Sequence, residues 1–102
     1  MTLVEFSMAP VGKGESVSRH VARAVRIVAK SGLDYRLGPM GTCVEGEWDE
    51  VFAVIRKCWK ALARDCGRIS VAIKVDYRKG AAGRLRSKIE SVERHLGRKV
   101  RT

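Results

Sequence analysis

Aromatic residues and long apolar runs are scarce in this sequence, and each scarcity excludes a class of protein. Aromatics make up 6% of the 102 residues, too few for the stacking platforms that hold single-stranded nucleic acid. No apolar run approaches the roughly 20 residues of a membrane helix. Met1–Pro10 lacks the basic segment that opens a signal peptide. We therefore expect a cytoplasmic protein without a membrane partner, folded as a single domain over residues 1–102.

Cysteines are few, and their spacing excludes two further kinds of structure. Cys43, Cys58 and Cys66 form neither an even set nor a CxxC pair, which argues against a disulfide framework and against a zinc site. Cys58 and Cys66 fall on the apolar side of a predicted helix, where a thiol fills space in the core. We expect a reducing compartment, no metal and no other cofactor.

Negative charge is also in short supply. The 21 Lys and Arg outnumber the 11 Asp and Glu, for a net charge of +10, which permits binding to nucleic acid or another polyanion. The cations are spread along the chain, however, and glutamates and a histidine interrupt the densest stretch, Arg84–Arg101. Without a known nucleic-acid motif, the pattern favours a solvated charged surface. Polyanion binding remains the alternative.

Apolar periodicity divides the chain into four strands and three helices. Alternation of apolar and polar residues predicts strands over 2–10, 33–37, 40–45 and 68–78. Helical spacing predicts helices over 17–30, 49–66 and 84–96. In the second helix one apolar stripe is expected to face the core: Phe52, Ile55, Trp59, Leu62 and Cys66. The order βαββαβ plus a terminal helix predicts a ferredoxin-like α+β fold, an antiparallel sheet with helices on one side.

Two surfaces of that fold would lack a cover. The sheet face away from the long helices carries small or charged side chains, among them Ser70, Ala72 and Lys74. The terminal helix has a narrow apolar seam, formed by Leu85, Ile89, Val92 and Leu96. Because burying such side chains is worth about 1.5–3 kcal/mol each, the seam predicts self-association, with folding of the helix back onto its own sheet as the monomeric alternative.

Several motifs resemble the thiamine-binding protein family of small ferredoxin-like domains. The stretches SMAPVGKGES, PMGTCVEGEWDEV and IKVDYRKG…LRSKIESVERHL follow in the expected order along nearly the whole chain. The most specific element is Pro-Met-Gly-Thr…Glu-Gly-Glu, residues 39–47. The resemblance implies a ligand, thiamine or its hydroxymethylpyrimidine half, as in the similar two-domain YkoF-like proteins. It also implies homo-oligomers, commonly homotetramers built from dimers, with ligand sites close to subunit boundaries.

Such a ligand needs three kinds of contact: an apolar or aromatic slot, hydrogen bonds to the pyrimidine edge, and a carboxylate or π face for the thiazolium cation. The candidates are Tyr35 and Met40 for the slot, Thr42 and the neighbouring Ser7 for the edge, and Glu45 or Glu47 for the cation. Each has a structural alternative. Glu47 could only begin a helix, and Tyr35 and Trp59 could only fill the core.

Catalytic signals are weak. His20 and His95 lie on predicted helices among arginines, with no nucleophile or acid nearby in sequence. The GKGES segment lacks the full GxxxxGK[ST] pattern of a phosphate loop. The sequence therefore predicts a non-enzymatic small-molecule binding protein, with a polyanion-binding protein or a purely structural or regulatory oligomer as alternatives.

Overall fold

The chain folds into one four-stranded antiparallel sheet and three helices, described over all residues 1–102 by a computed structural model. The elements are β1 (Thr2–Pro10), α1 (Ser18–Lys30), β2 (Asp34–Leu37), β3 (Thr42–Gly46), α2 (Trp48–Ala63), β4 (Ile69–Tyr77) and α3 (Arg84–Leu96). The strand order is β2-β3-β1-β4. The predicted ferredoxin-like α+β fold with a C-terminal helix is confirmed. No helix combines the length and the apolar character needed to cross a membrane.

The core lies between the central strands and the two helices that precede β4. Alternation along β1 turns Val4, Phe6 and Met8 inward, and all three are buried. Ala24 and Val28, one turn apart on α1, are buried against them. The buried side chains of α2 are Val51, Val54, Ile55, Cys58 and Leu62. The apolar faces of the strands and of the two helices therefore pack together into one core.

The buried face of α2 differs from the predicted stripe. Ile55 and Leu62 belong to both, but Trp59 is 46% exposed, and Phe52 is only partly buried, with its ring 4.7 Å from that of Trp48. Two rows of apolar residues on α2 satisfy helical spacing, and the predicted stripe is the row with the larger side chains. The row that packs on the sheet carries the smaller, mostly branched residues, because these fit closer to β1 and β3.

Strand β4 pairs with β1 over nine residues, and the register sets Val71, Ile73 and Val75 on the same face as the core side chains of β1. These three residues are nevertheless exposed by 38–42%. Helices α1 and α2 pack mainly over β1, β2 and β3, so the edge strand is left without a cover. The alternation of β4 places these side chains on the face toward the helices, but position on that face does not ensure a covering layer.

Helix α3 folds back onto the opposite face of the sheet, where it packs against β2 and β3. Leu85 and Ile89 are partly buried there, whereas Val92 and Leu96 remain more than half exposed. The seam is thus covered at its beginning only. The half of this face formed by β1 and β4 stays open.

Candidate functional site

A mostly apolar cavity of about 130 Å³ opens between α1 and the turn that joins β2 to β3. Its floor comes from β1, one wall from α1 and the other from the turn. The apolar lining includes Phe6, Met8, Val21, Val25, Leu37 and Met40. A flat apolar ring suits such a lining, because the main attraction is the removal of apolar surface from water.

The turn beside the cavity is held close to β1 by its backbone. Gly38 N–H donates a hydrogen bond to Gly41 O at 2.8 Å, which closes the turn around Pro39 and Met40. A Cβ on Gly41 would lie 3.1 Å from the Phe6 carbonyl oxygen and 3.2 Å from the Glu5 side chain. Any larger residue would press on this backbone, so glycine suits the close approach of the turn to β1. β3 begins at Thr42 rather than at the predicted Met40, which stands 87% exposed at the rim.

Two of the polar candidates lie beside the cavity but on different faces of the sheet. Thr42 pairs with Phe6, so its buried side chain shares the face of the cavity. Ser7 lines the cavity, yet as the residue after Phe6 it directs its side chain to the other face. The prediction that the two residues are neighbours in the sheet is correct, but their hydroxyls do not converge on one ligand edge. Thr42 is the better placed donor.

The two candidate carboxylates lie at helix N-termini. Both oxygens of buried Glu45 accept hydrogen bonds from the backbone N–H of Arg84, each at 3.1 Å, where α3 begins. A carboxylate at this position also complements the helix dipole. Exposed Glu47 precedes α2, and its backbone N–H donates to Glu50 Oε1 at 3.3 Å. Glu47 therefore lies at the start of a helix, as the structural alternative expected. Glu45 instead links the N-terminus of α3 to the sheet.

Tyr35 lies apart from the cavity. It lines a polar groove between β2 and α3, together with Glu45, Arg86 and Glu90. At 39% exposure it is not a core residue, and neither is Trp59, so the core alternative is wrong for both. The six candidates are therefore distributed over the cavity (Ser7, Met40, Thr42), the polar groove (Tyr35, Glu45) and the start of α2 (Glu47).

Sequence reasoning missed the contribution of α1 to the cavity. Val21 and Val25, four residues apart, form the wall opposite the turn, with Ala24 between them. Both valines share the helical spacing of the buried Ala24 and Val28, and periodicity cannot separate a core side chain from one that borders a cavity. The small Ala24 was the available signal, because an alanine in an otherwise valine-rich stripe leaves room.

One cluster contains metal-ligating groups, at the contact between α1 and α2. His20, Asp65 and Cys66 place their ligand atoms within 4.8 Å of one another. Arg23 Nη1 donates to both Asp65 oxygens at 3.0 Å and lies 3.3 Å from His20 Nδ1. This guanidinium holds the pKa of Asp65 below its usual range. Because Arg23 already supplies a positive charge there, the cluster is arranged as an ion pair between α1 and the turn that follows α2.

The thiols offer little nucleophilic chemistry. All three cysteines are free. Burial, reinforced by Glu5, raises the pKa of Cys43, and burial raises the pKa of Cys58 to about 11. A thiol is nucleophilic as its thiolate, so these two are unreactive near neutral pH. Neither lines the cavity.

Sequence comparisons identify one family. The family model described as "Thiamine-binding protein" matches residues 4–93. A UPF0045 protein of Mycobacterium bovis is 42% identical over 95 residues, which are 92% of this chain and 93% of the relative. The UPF0045 protein YqgV of Bacillus subtilis is 35% identical over 102 residues, with 94% and 98% covered.

Solved structures share the fold. A hypothetical protein from Methanocaldococcus jannaschii superposes with a TM-score of 0.82 at 30% identity, over 89% of this chain and 94% of the other. A putative thiamine biosynthesis/salvage protein from Thermotoga maritima superposes with a TM-score of 0.79 at 22% identity, over 89% and 97%. At that identity the second likeness concerns the fold alone.

Proposed function

The chain belongs to the thiamine-binding protein family, and we propose that it is a non-enzymatic cytoplasmic protein that binds thiamine or its hydroxymethylpyrimidine moiety. One observation carries the proposal: the Pro-Met-Gly-Thr segment, the most specific part of the family resemblance, forms one wall of the apolar cavity. The three free cysteines of the protein support its placement in a reducing compartment.

The size of the cavity indicates which part of the ligand enters. Pockets for drug-sized ligands measure about 300–1,000 Å³, whereas this one measures about 130 Å³. It suits one flat ring, so we place the aminopyrimidine inside, with its edge at the Thr42 hydroxyl. The thiazolium would then lie at the mouth, beside Met40. No carboxylate lines the cavity, so the cation is left for solvent or for a neighbouring subunit.

A neighbouring subunit is part of the proposal. The uncovered row of Val71, Ile73 and Val75 forms an apolar strip on an edge strand, the kind of surface that pairs with another chain. A symmetric contact would bury the same strip twice. We propose a homo-oligomer, a tetramer built as a dimer of dimers, with ligand sites near subunit boundaries.

Isothermal titration with thiamine, its phosphates and hydroxymethylpyrimidine tests the binding proposal. We expect thiamine and hydroxymethylpyrimidine to bind with similar affinity, because the shared ring fills the cavity. Thr42→Val should weaken both by about tenfold, the effect of losing one hydrogen bond. Thr2→Val is the matched control, since Thr2 is buried on the same face at the far end of β1 and its hydroxyl has no partner.

A second variant blocks the cavity without touching its polar groups. Val25→Phe adds a ring to the α1 wall and should abolish binding of both ligands, with circular dichroism confirming the fold. Absence of binding by the unaltered, folded protein at millimolar ligand would overturn the proposal. Loss of binding in Glu45→Gln with α3 still docked would move the ligand to the polar groove.

A further inference from the structure

A second groove lies on the opposite face of the sheet from the cavity. Because α3 packs against β2 and β3, the open half of that face forms a trough between α3 and the end of β4. This α3–β4 groove has a volume of about 620 Å³. Its β4 side is formed by Asp76, Tyr77 and Arg78.

The α3 side of the groove is a single polar stripe. It consists of Arg84, Ser87, Lys88, Ser91 and Arg94. These positions are three or four residues apart, so they share one face of the helix. Of the eight residues that line the groove, four are cations and one is an acid, which leaves a net charge of +3. The two serines add hydroxyl donors between the cations.

The positive charge of the groove is only partly neutralised. Asp76 Oδ2 lies 2.6 Å from both Arg84 Nη2 and Lys88 Nζ, so one carboxylate serves two cations. Neither Arg78 nor Arg94 takes part in any ion pair of the chain. Arg84 is buried and donates further hydrogen bonds to the carbonyl oxygens of Met1 and Asp76. The groove thus has one fixed cation and two unpaired guanidinium groups.

These features suit a phosphate group. A guanidinium presents paired N–H donors that match phosphate oxygens, and a cleft lined by one sign of charge concentrates the opposite ion. The aromatic content argues against an extended nucleic acid, since Tyr77 is the only aromatic side chain in the lining and strand binding needs successive stacking platforms. We propose that the α3–β4 groove binds the phosphate moiety of a small phosphorylated ligand.

Titration with inorganic pyrophosphate tests this site independently of the cavity, because the probe contains no pyrimidine. We expect saturable binding that weakens with rising chloride. The double variant Arg78→Gln/Arg94→Gln should weaken it by about tenfold or more. Both residues are exposed and unpaired, so the fold should persist. The matched control is Arg56→Gln/Lys57→Gln, an equal loss of charge on exposed positions of α2.

Four outcomes would overturn the proposal. They are absence of pyrophosphate binding by the folded protein, equal weakening in the groove and control variants, equal affinity for inorganic sulfate, and binding of a single-stranded oligonucleotide without binding of pyrophosphate. Equal weakening would mean that net charge alone attracts the anion. Retained hydroxymethylpyrimidine binding in the groove variant would show that the two sites are separate.

Discussion

Strands β1 and β4 share a sequence pattern but differ in their surroundings. Each has nine residues, and they pair antiparallel over their full length, with Val4 opposite Val75 and Phe6 opposite Ile73. The β1 members of these pairs are at most 3% exposed, whereas Val75 and Ile73 are 38% and 42% exposed. Alternation identifies the side chains that share a face. Whether that face is covered depends on the helices, which here stop short of the edge strand.

The largest expected effect contrasts the two members of one cross-strand pair. Phe6→Ala should lower the free energy of unfolding by about 3–5 kcal/mol at every protein concentration, because it leaves a cavity in the core. Ile73→Ala should cost less than about 1.5 kcal/mol in the isolated subunit and more at concentrations where subunits associate. Urea denaturation over a range of protein concentrations measures both. A large, concentration-independent loss for Ile73→Ala would contradict the contrast.

The second prediction is that another subunit covers the exposed apolar side chains of β4. If the strip of Val71, Ile73 and Val75 is the contact between subunits, Ile73→Asp should reduce the mass measured by light scattering after size exclusion, because a carboxylate would have to be desolvated there. Ala53→Asp, on an exposed position of α2, is the control. A monomeric mass for the unaltered protein at tens of micromolar would refute assembly. A smaller species with Val92→Asp alone would move the contact to α3.

Much of the fold was predictable because it rests on local signals. Every predicted strand and helix is present, and glycine and proline mark the turn beside the cavity, where the backbone must approach β1 closely. The α2 stripe was misassigned because two rows of that helix satisfy the same spacing. The exposure of β4 was not predictable from periodicity, since it depends on where α1 and α2 lie over the sheet.

The candidate site was predictable in part. The turn segment brought Met40 and Thr42 to the cavity, as expected for residues close in sequence. Alternation with Phe6 places the Ser7 side chain on the face away from the core, but the face of Thr42 depends on its pairing with Phe6, which no local pattern gives. The partner of Glu45 is the Arg84 backbone, 39 residues along the chain, and no local pattern connects the two.

The third prediction concerns α3, which covers β2 and β3 on the face opposite the core. Glu45→Gln should lower the free energy of unfolding by about 1–2 kcal/mol, since neutral hydrogen bonds to the α3 N-terminus replace charge-assisted ones. Glu47→Gln should cost about 0.5 kcal/mol or less at its exposed position. Hydrogen exchange should speed up in α3 for the first variant only. Equal protection of α3 in both variants would show that Glu45 is not what holds the helix.

The smallest expected effect concerns the ion pair between Arg23 on α1 and Asp65 in the turn after α2. Arg23 lowers the pKa of Asp65 below its ordinary value of 3.8, so the unfolded chain binds this proton more readily than the folded one. The resulting stabilisation is present above pH 3.8 and is lost as the pH falls through the lower folded pKa.

Asp65→Asn should therefore reduce stability slightly at neutral pH, as expected for an exposed pair, and the difference should vanish in acid. Urea titrations from neutral to strongly acidic pH measure it, with Asp34→Asn, which has no ion pair, as the control. A difference that persists unchanged in acid would mean that Asp65 acts through packing rather than through its charge.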